Sequence, residues 1–218
     1  MKVLSLKFSR ACNSYEEWAL PQRYSAERLK KIEEIKGSVL DLGCGTGFMS
    51  QGLQEVVGVD IAVGMAKVYK EKFGNVVVGD AHALPFKDKS FDFVVSNFAL
   101  HWTDINKSLQ EALRVCKRLF LCALPVDGSL PQTGFPFPRA EEIRLILEKE
   151  ARVRKFFVED VLIPFRGWDL VRFFHYTGSS YNPILKGGII SKKRLESMIR
   201  TIDKPFFRVL FFSCEVKE

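Results

Sequence analysis

Between residues 39 and 124, short apolar runs alternate with amphipathic stretches, a rhythm that predicts a parallel sheet covered by helices. Val39–Leu42, Val56–Val59, Val76–Val78, Phe91–Ser96 and Leu119–Leu124 carry apolar residues on both faces, interrupted at Asp41, Asp92 and Ser96, as strands buried on both faces do. Helical spacing marks Phe48–Leu53, Met65–Phe73 and Ile105–Val115 between them. Strict alternation gives right-handed crossovers and helices on both faces of one doubly wound layer. Upstream, residues 13–35 read as helix broken at Pro21, with Trp18, Leu20, Leu29, Ile32 and Ile35 as its apolar positions.

After Leu124 the rhythm changes. Pro125, Gly128, Pro131, Gly134, Pro136 and Pro138 punctuate a loop that continues neither strand nor helix. A helix over Arg139–Arg154 follows, then strand-like Phe156–Phe165, an aromatic helix Trp168–Tyr176, a loop TGSSYNP, a helix Lys192–Ile202 and a β-rich run Phe206–Val216. The expectation is an α/β chain with seven strands, the last antiparallel and paired with the sixth, and a small lid insertion after the fifth. It divides one domain, 1–218, into a helical cover (1–35), a ligand-binding core (36–125), a lid with the sixth strand (126–190), and a last helix with the closing strand (191–218).

Composition narrows the class. With 218 residues and 47% hydrophobic side chains the chain can bury a proper core. Its longest apolar runs are too short for a membrane span, and MKVLSLKFSR lacks the apolar core of an export signal. Cys12, Cys44, Cys116, Cys122 and Cys214 are odd in number with no CxxC pair, and His82, His101 and His175 lie far apart. No metal site is expected, and a reducing cytoplasm fits the thiols. Net charge is +7, with clusters at Arg152–Lys155 and Lys192–Arg194 that read either as solvated faces or as a docking site for an acidic partner.

The chemistry starts at Val39–Gly47, VLDLGCGTG, where the first strand turns. Glycines at 43, 45 and 47 allow a tight turn and close approach to a ligand. A dinucleotide fingerprint spaces its glycines G-x-G-x-x-G around a pyrophosphate. Here the spacing is G-x-G-x-G, with Asp41 two residues ahead. A carboxylate is a poor neighbour for pyrophosphate and a good one for an ammonium group. Asp60 ends the second strand, where an acid accepts ribose hydroxyls, and Asp80 ends the third, where it reaches an adenine edge. Any one of them alone also reads as a cap of the next helix. Three acids at three neighbouring strand ends, lining one crevice, argue for a ligand.

DLGCGTG, VGVD, GDAHALPF and FDFVVSNFALHW resemble successive motifs of the class I S-adenosylmethionine-dependent methyltransferases, over residues 36–125. FSRACNSYEEWALPQR, SNFALHW, ALPVDGSLPQ and FFHYTGSSYNP are similar to the malonyl-acyl-carrier-protein O-methyltransferases of biotin synthesis. The resemblance implies a Rossmann-like fold and S-adenosylmethionine as cofactor. It implies that Asp41, Gly43, Cys44, Gly45 and Gly47 surround the methionine part, with Asp60 on the ribose and Ile61 and Met65 beside the adenine. Asp80 and Ala81 would read the adenine edge, Asn97 and Phe98 would face the sulfonium, and Tyr15 would fold over the cofactor. Two departures stand out: RVCKRLF lacks the Pro-Gly-Gly turn after the fourth helix, and the segment after Gly134 is short.

A malonyl carboxylate is ionised at neutral pH and needs no general base, so the absence of a nucleophile–base pair fits. Tyr15, His101 and Trp102 are the candidates for positioning the acceptor. The expected partner is an acidic acyl carrier protein bearing a malonyl thioester, with no membrane and no nucleic acid, and a monomeric enzyme. Competing readings are another small carboxylic acid, a quinone precursor or a tRNA base as acceptor, a non-catalytic cofactor-binding subunit, and a nucleotide-dependent oxidoreductase. Scattered charge argues against tRNA, and glycine spacing against the oxidoreductase.

Overall fold

In a computed structural model, residues 2–180 and 192–217 are described. Three helices open the chain, α1 (Lys2–Ala11), α2 (Tyr15–Trp18) and α3 (Leu20–Leu29). Then follow β1 (Val39–Leu42), β2 (Val56–Asp60), α4 (Val63–Phe73), β3 (Val76–Val78), β4 (Phe91–Asn97), α5 (Ile105–Val115) and β5 (Cys116–Pro125). α6 (Ala140–Glu150), β6 (Ala151–Leu162), α7 (Gly167–Tyr176), α8 (Lys192–Arg200) and β7 (Phe206–Val216) complete it.

The seven strands form one sheet in the order β3-β2-β1-β4-β5-β7-β6. β1 to β5 are parallel, and β7 inserts antiparallel between β5 and β6. Alternate residues feed two cores, as period-2 strands require. Val39, Phe93, Val95, Leu121 and Phe211 face α3 and α7, whereas Leu40, Val94, Phe120, Leu210 and Phe212 face α5 and α6. The missing Pro-Gly-Gly has a direct consequence: α5 ends at Val115 and β5 begins at Cys116 with no linker.

Four local expectations fail. Phe48–Leu53 is no helix; it is a run of turns closed by Ser50 N–H to Gly47 O and Leu53 N–H to Ser50 O. Gly47 and Gly52 take left-handed φ of 96° and 84°, leaving too few residues between them to nucleate a helix. The helix expected over 13–35 is two short ones broken at Ala19; Pro21 sits harmlessly in the first turn of α3, and residues 30–35 leave the helix. The helix expected to Arg154 stops at Glu150, because Ala151 turns extended and pairs with Val216. Pairing of eleven residues with β7 outweighs local helical pattern, and basic Arg152–Lys155 becomes part of an edge strand. Finally, α1 was not expected, although Leu4, Phe8 and Ala11 stand at helical spacing.

Beyond the alternating core, the loop after β5 spans residues 126–139, and α7 and α8 lie between β6 and β7 in chain order. α6 lies flat on the sheet, with Ile143 and Leu147 fully buried. The sequence motif TGSSYNP lies within the described residues only as far as Ser180.

Candidate functional site

The turn after β1 is built by its glycines. Gly43 (φ 70°) and Cys44 both donate their N–H to Val59 O, pinning the turn to β2. A Cβ on Gly43 would stand 2.2 Å from the Ala99 Cβ, and one on Gly47 2.1 Å from the Phe73 ring, so packing demands glycine at both. Gly45 differs. Its φ is 53°, and a Cβ there would meet no protein atom within 4 Å, because it faces open space.

The three acids occupy different environments. Asp60 lies on the cleft wall, its Oδ2 accepting from Gly45 N–H (2.8 Å) and its Oδ1 from Ala62 N–H (2.7 Å). Each oxygen keeps acceptor capacity for a further donor. Burial raises its pKa against those backbone donors. Asp41 is fully buried behind the turn and is not on the cleft wall. It accepts from Ser50 Oγ (2.7 Å), which in turn meets the Tyr69 hydroxyl (2.6 Å). Burial above all, with the Asp60 charge, pushes its carboxyl up to about 7. Asp80 also stands off the wall. It accepts from His82 N–H (3.0 Å) and lies 2.7 Å from His82 Nδ1, while His82 Nε2 accepts from Asp104 N–H, ahead of α5.

A narrow cleft of about 90 Å³ runs over the C-terminal ends of β1, β2 and β4. Its walls include Gly43, Gly45, Asp60, Ile61, Met65, Ala81, Asn97 and Phe98, with Tyr15 and Trp102 closing one side. Leu4 and Phe8 of α1 join the same wall. Asn97 donates from Nδ2 to the Gln22 carbonyl (2.9 Å), leaving its buried Oδ1 without a partner. Phe98 holds a left-handed φ of 54°, a strained choice for a non-glycine residue that its N–H to Ala123 O helps to maintain.

Beside this cleft lies a second cavity of about 570 Å³. Phe8, Tyr15, Phe98 and Trp102 line both. Its interior is aromatic: the His101 ring packs against Trp102 (4.8 Å), Phe137 (5.9 Å) and Phe98 (6.1 Å). Burial drives the His101 imidazole down to about 3, so it is neutral, and its Nδ1 is buried without a partner. The Tyr15 phenol is pushed well above its ordinary value, by burial first and then by the Asp60 charge. Neither group is a base near neutral pH.

Of the residues singled out from sequence, Gly43, Gly45, Asp60, Ile61, Met65, Ala81, Asn97, Phe98, Tyr15 and Trp102 converge on the cleft, and His101 on the second cavity. Asp41, Cys44, Gly47 and Asp80 stand behind the wall. The sequence reading missed Leu4 and Phe8, whose spacing would have found them, and Gln22 and Phe207, which carried no local signal. Arg152–Lys155 lies on the outer edge strand, level with the starts of β4 and β5 and so toward the end of the sheet away from the cleft. Of the side chains at Lys192–Arg194 nothing is described.

The charged group that the strand ends place on the cleft wall is the Asp60 carboxylate, with the amide of Asn97 on the same wall. That set fits a ligand carrying hydroxyls and a positive charge, as an adenosyl sulfonium does, and would repel a pyrophosphate. Residues 40–121 match the family described as a methyltransferase domain. A SAM-dependent methyltransferase from Thermotoga maritima shares the fold at TM-score 0.63 and 20% identity, over 97% of this chain and 99% of that one. Residues 40–121 thus carry a methyltransferase-domain match on a fold shared with an S-adenosylmethionine-dependent methyltransferase.

Among curated proteins the similarity runs to the malonyl-[acyl-carrier protein] O-methyltransferases. The Yersinia pestis enzyme is 32% identical over 144 residues, 61% of this chain and 54% of its own length. That of Geobacter sulfurreducens is 29% identical over 209 residues, 86% of this chain and 78% of its own. The chain spans about half the length of most curated relatives it matches.

Proposed function

We propose that this protein transfers the methyl group of S-adenosylmethionine to a carboxylate oxygen of an acceptor in the second cavity, most specifically the malonyl thioester of an acyl carrier protein. The observation that carries the reading is the shared wall: Tyr15, Phe98, Trp102 and Phe8 separate a cleft suited to a cationic donor from a cavity large enough for its acceptor.

The bound cofactor supplies a methyl group on positively charged sulfur. Asp60 would accept from the ribose hydroxyls, Asn97 would stand beside the methionine part, and Gly79 and Ala81 would flank the adenine with Asp80 between them. Gly45 gives the ligand room. Asp41 acts from behind the turn, its negative charge balancing the cation once ionised. Leu4 and Phe8 keep water out. An in-line displacement needs the acceptor oxygen held near ~3 Å from the methyl carbon, and alignment of this kind is worth several kcal/mol. The cavity offers no base, with His101 at about 3 and Tyr15 raised, which favours an acceptor that is already ionised. Tyr15 donates to that carboxylate, His101 and Trp102 shape its seat, and the aromatic walls desolvate it beside the sulfonium.

The malonyl acceptor rests on the names of the relatives and on the motifs they share with this chain. All five cysteines are free and no helix of the described residues is long and apolar enough to cross a membrane, which supports a cytoplasmic enzyme. The test is methyl-labelled S-adenosylmethionine offered with malonyl carrier protein, a free malonyl thioester and tRNA side by side. Base-labile label on the carrier is the expected result. Label on tRNA alone, or on nothing, overturns the proposal.

A further inference from the structure

The second cavity, at about 570 Å³, is nearly four times the ~150 Å³ that accommodates a benzene ring. It falls within the range of about 300–1,000 Å³ typical of sites that enclose drug-sized ligands. Methyl transfer asks only that the reacting oxygen of the acceptor reach the wall shared with the cleft, at Tyr15, Phe98 and Trp102. A three-carbon acyl group at that wall leaves most of the cavity to the rest of the acceptor.

The lining sets what that remainder can be. Leu170, Val171 and Phe174 of α7, Leu195 and Ile199 of α8, and Ile202 line this cavity and not the cleft. Leu170, Ile199 and Ile202 belong to the buried interior. Polar groups on the lining are already engaged or uncharged. Lys7 donates to the carbonyl and hydroxyl of Ser180 (3.1 and 3.0 Å), tying α1 to the segment after α7, where His175 and Ser180 are exposed. Thr133 Oγ1 donates to Leu130 O (2.8 Å), and His101 is neutral. Among the described residues no Asp or Glu lines the cavity. A charged body would lose its water there without gaining a counter-charge. Each methylene buried against such walls strengthens binding about fourfold.

We infer that the second cavity is a subsite for an apolar chain: the acceptor carboxylate stands at the wall shared with the cleft, and an uncharged hydrocarbon body of about eight carbons fills the space lined by α7 and α8. Placing the carboxylate at that wall rests on the carboxylate-acceptor reading above; the subsite itself does not. In the transfer, a carboxylate oxygen forms the new C–O bond as the methyl carbon parts from sulfur. Sulfur keeps the electron pair as a neutral thioether, and no proton moves.

Calorimetry of butyrate, hexanoate, octanoate and decanoate on protein saturated with S-adenosylhomocysteine tests the subsite. Affinity should rise about three- to fourfold per added methylene, so that octanoate binds on the order of a hundredfold tighter than butyrate. Octanedioate, equal in length and charged at both ends, should bind no better than butyrate. Val171→Trp, which fills part of the cavity from α7, should cut the octanoate preference about tenfold. Its S-adenosylhomocysteine affinity and Tm report that this variant is folded. A flat series in the wild-type protein, or octanedioate binding as tightly as octanoate, overturns the inference whatever the variant does. A preference that folded Val171→Trp leaves unchanged overturns it too. Methyl-labelled S-adenosylmethionine offered with octanoate separates the two readings. Graded binding with no labelled methyl ester sinks the carboxylate-acceptor reading and leaves the subsite standing. Methylation of malonyl carrier protein beside a flat series does the reverse.

Discussion

Asp41 titrates near neutrality because it is sealed behind the glycine turn, with the Ser50 hydroxyl opposing only part of the burial effect. A carboxyl whose folded pKa lies above its unfolded value near 4 binds its proton more tightly in the folded state. Its stabilising contribution is complete below about pH 4 and is lost as pH rises through about 7, at about 1.4 kcal/mol per pKa unit. The ligand-free protein should therefore lose Tm between pH 5 and 8. Asp41→Asn should flatten that slope, leaving the part due to Asp60, which is also raised. Asp92 and Glu111 are lowered, by Ser38 and Arg114, so their stability is lost only in more acidic solution. Thermal melts across the range check this; an unchanged slope in the variant would refute it.

Gly45 and Gly43 separate ligand space from packing. Gly45→Ala places its Cβ in open space, so it should cost only the ~1–2 kcal/mol of a left-handed alanine yet weaken cofactor binding more than tenfold. Gly43→Ala meets Ala99 and should lower Tm as well. Calorimetry paired with melting separates the two. Tyr15→Phe should reduce turnover more than cofactor affinity; equal losses would deny Tyr15 a role toward the acceptor.

At the scale of elements, α1 roofs both cavities through two close glycine approaches. A Cβ on Gly64 of α4 would come within 2.3 Å of the Ser9 carbonyl, and one on Gly178 within 2.9 Å of the Phe8 Cα. Ser9 Oγ also accepts from Gly64 N–H. The helix is thus seated by backbone contact, with Val3 and Leu6 on its exposed side. Gly64→Val should unseat it while sparing the sheet. The expected result is faster hydrogen exchange over residues 2–11, weaker cofactor retention and little change in exchange of β4 and β5. Unaltered exchange over α1 would contradict the roofing role.

Across the whole molecule, the sheet separates charge from chemistry. The cofactor cleft opens over the carboxyl ends of the parallel strands, whereas Arg152, Arg154 and Lys155 lie on the far edge and toward the other end. α1 at the cavity carries Lys2, Lys7 and Arg10 and no acid. If an acidic carrier delivers the acceptor, transfer should weaken with salt. Lys7→Glu should slow it further, and the double variant Arg152→Glu, Arg154→Glu should leave it as it is. Steady-state rates with carrier-linked and free thioester at two ionic strengths decide; a loss in the double variant alone would move the docking face to the edge strand.

The sequence by itself determined the parallel core, because strands buried on both faces carry apolar residues on both. It also determined the cradle, because the closely spaced glycines 43, 45 and 47 after the first strand suit a tight left-handed turn, whereas the approach of Ala99 and Phe73 that excludes a Cβ there came from the fold. Asp60 was legible for the same reason, standing at the end of a strand beside that turn. Tertiary structure alone decided what depends on distant segments meeting. β7 pairing turned Ala151 to strand, left-handed glycines removed the helix at 48–53, and burial behind the turn withdrew Asp41 from the cleft wall. Gln22 belongs to this second group: nothing local marks it, and its carbonyl meets Asn97 only when α3 packs beside β4.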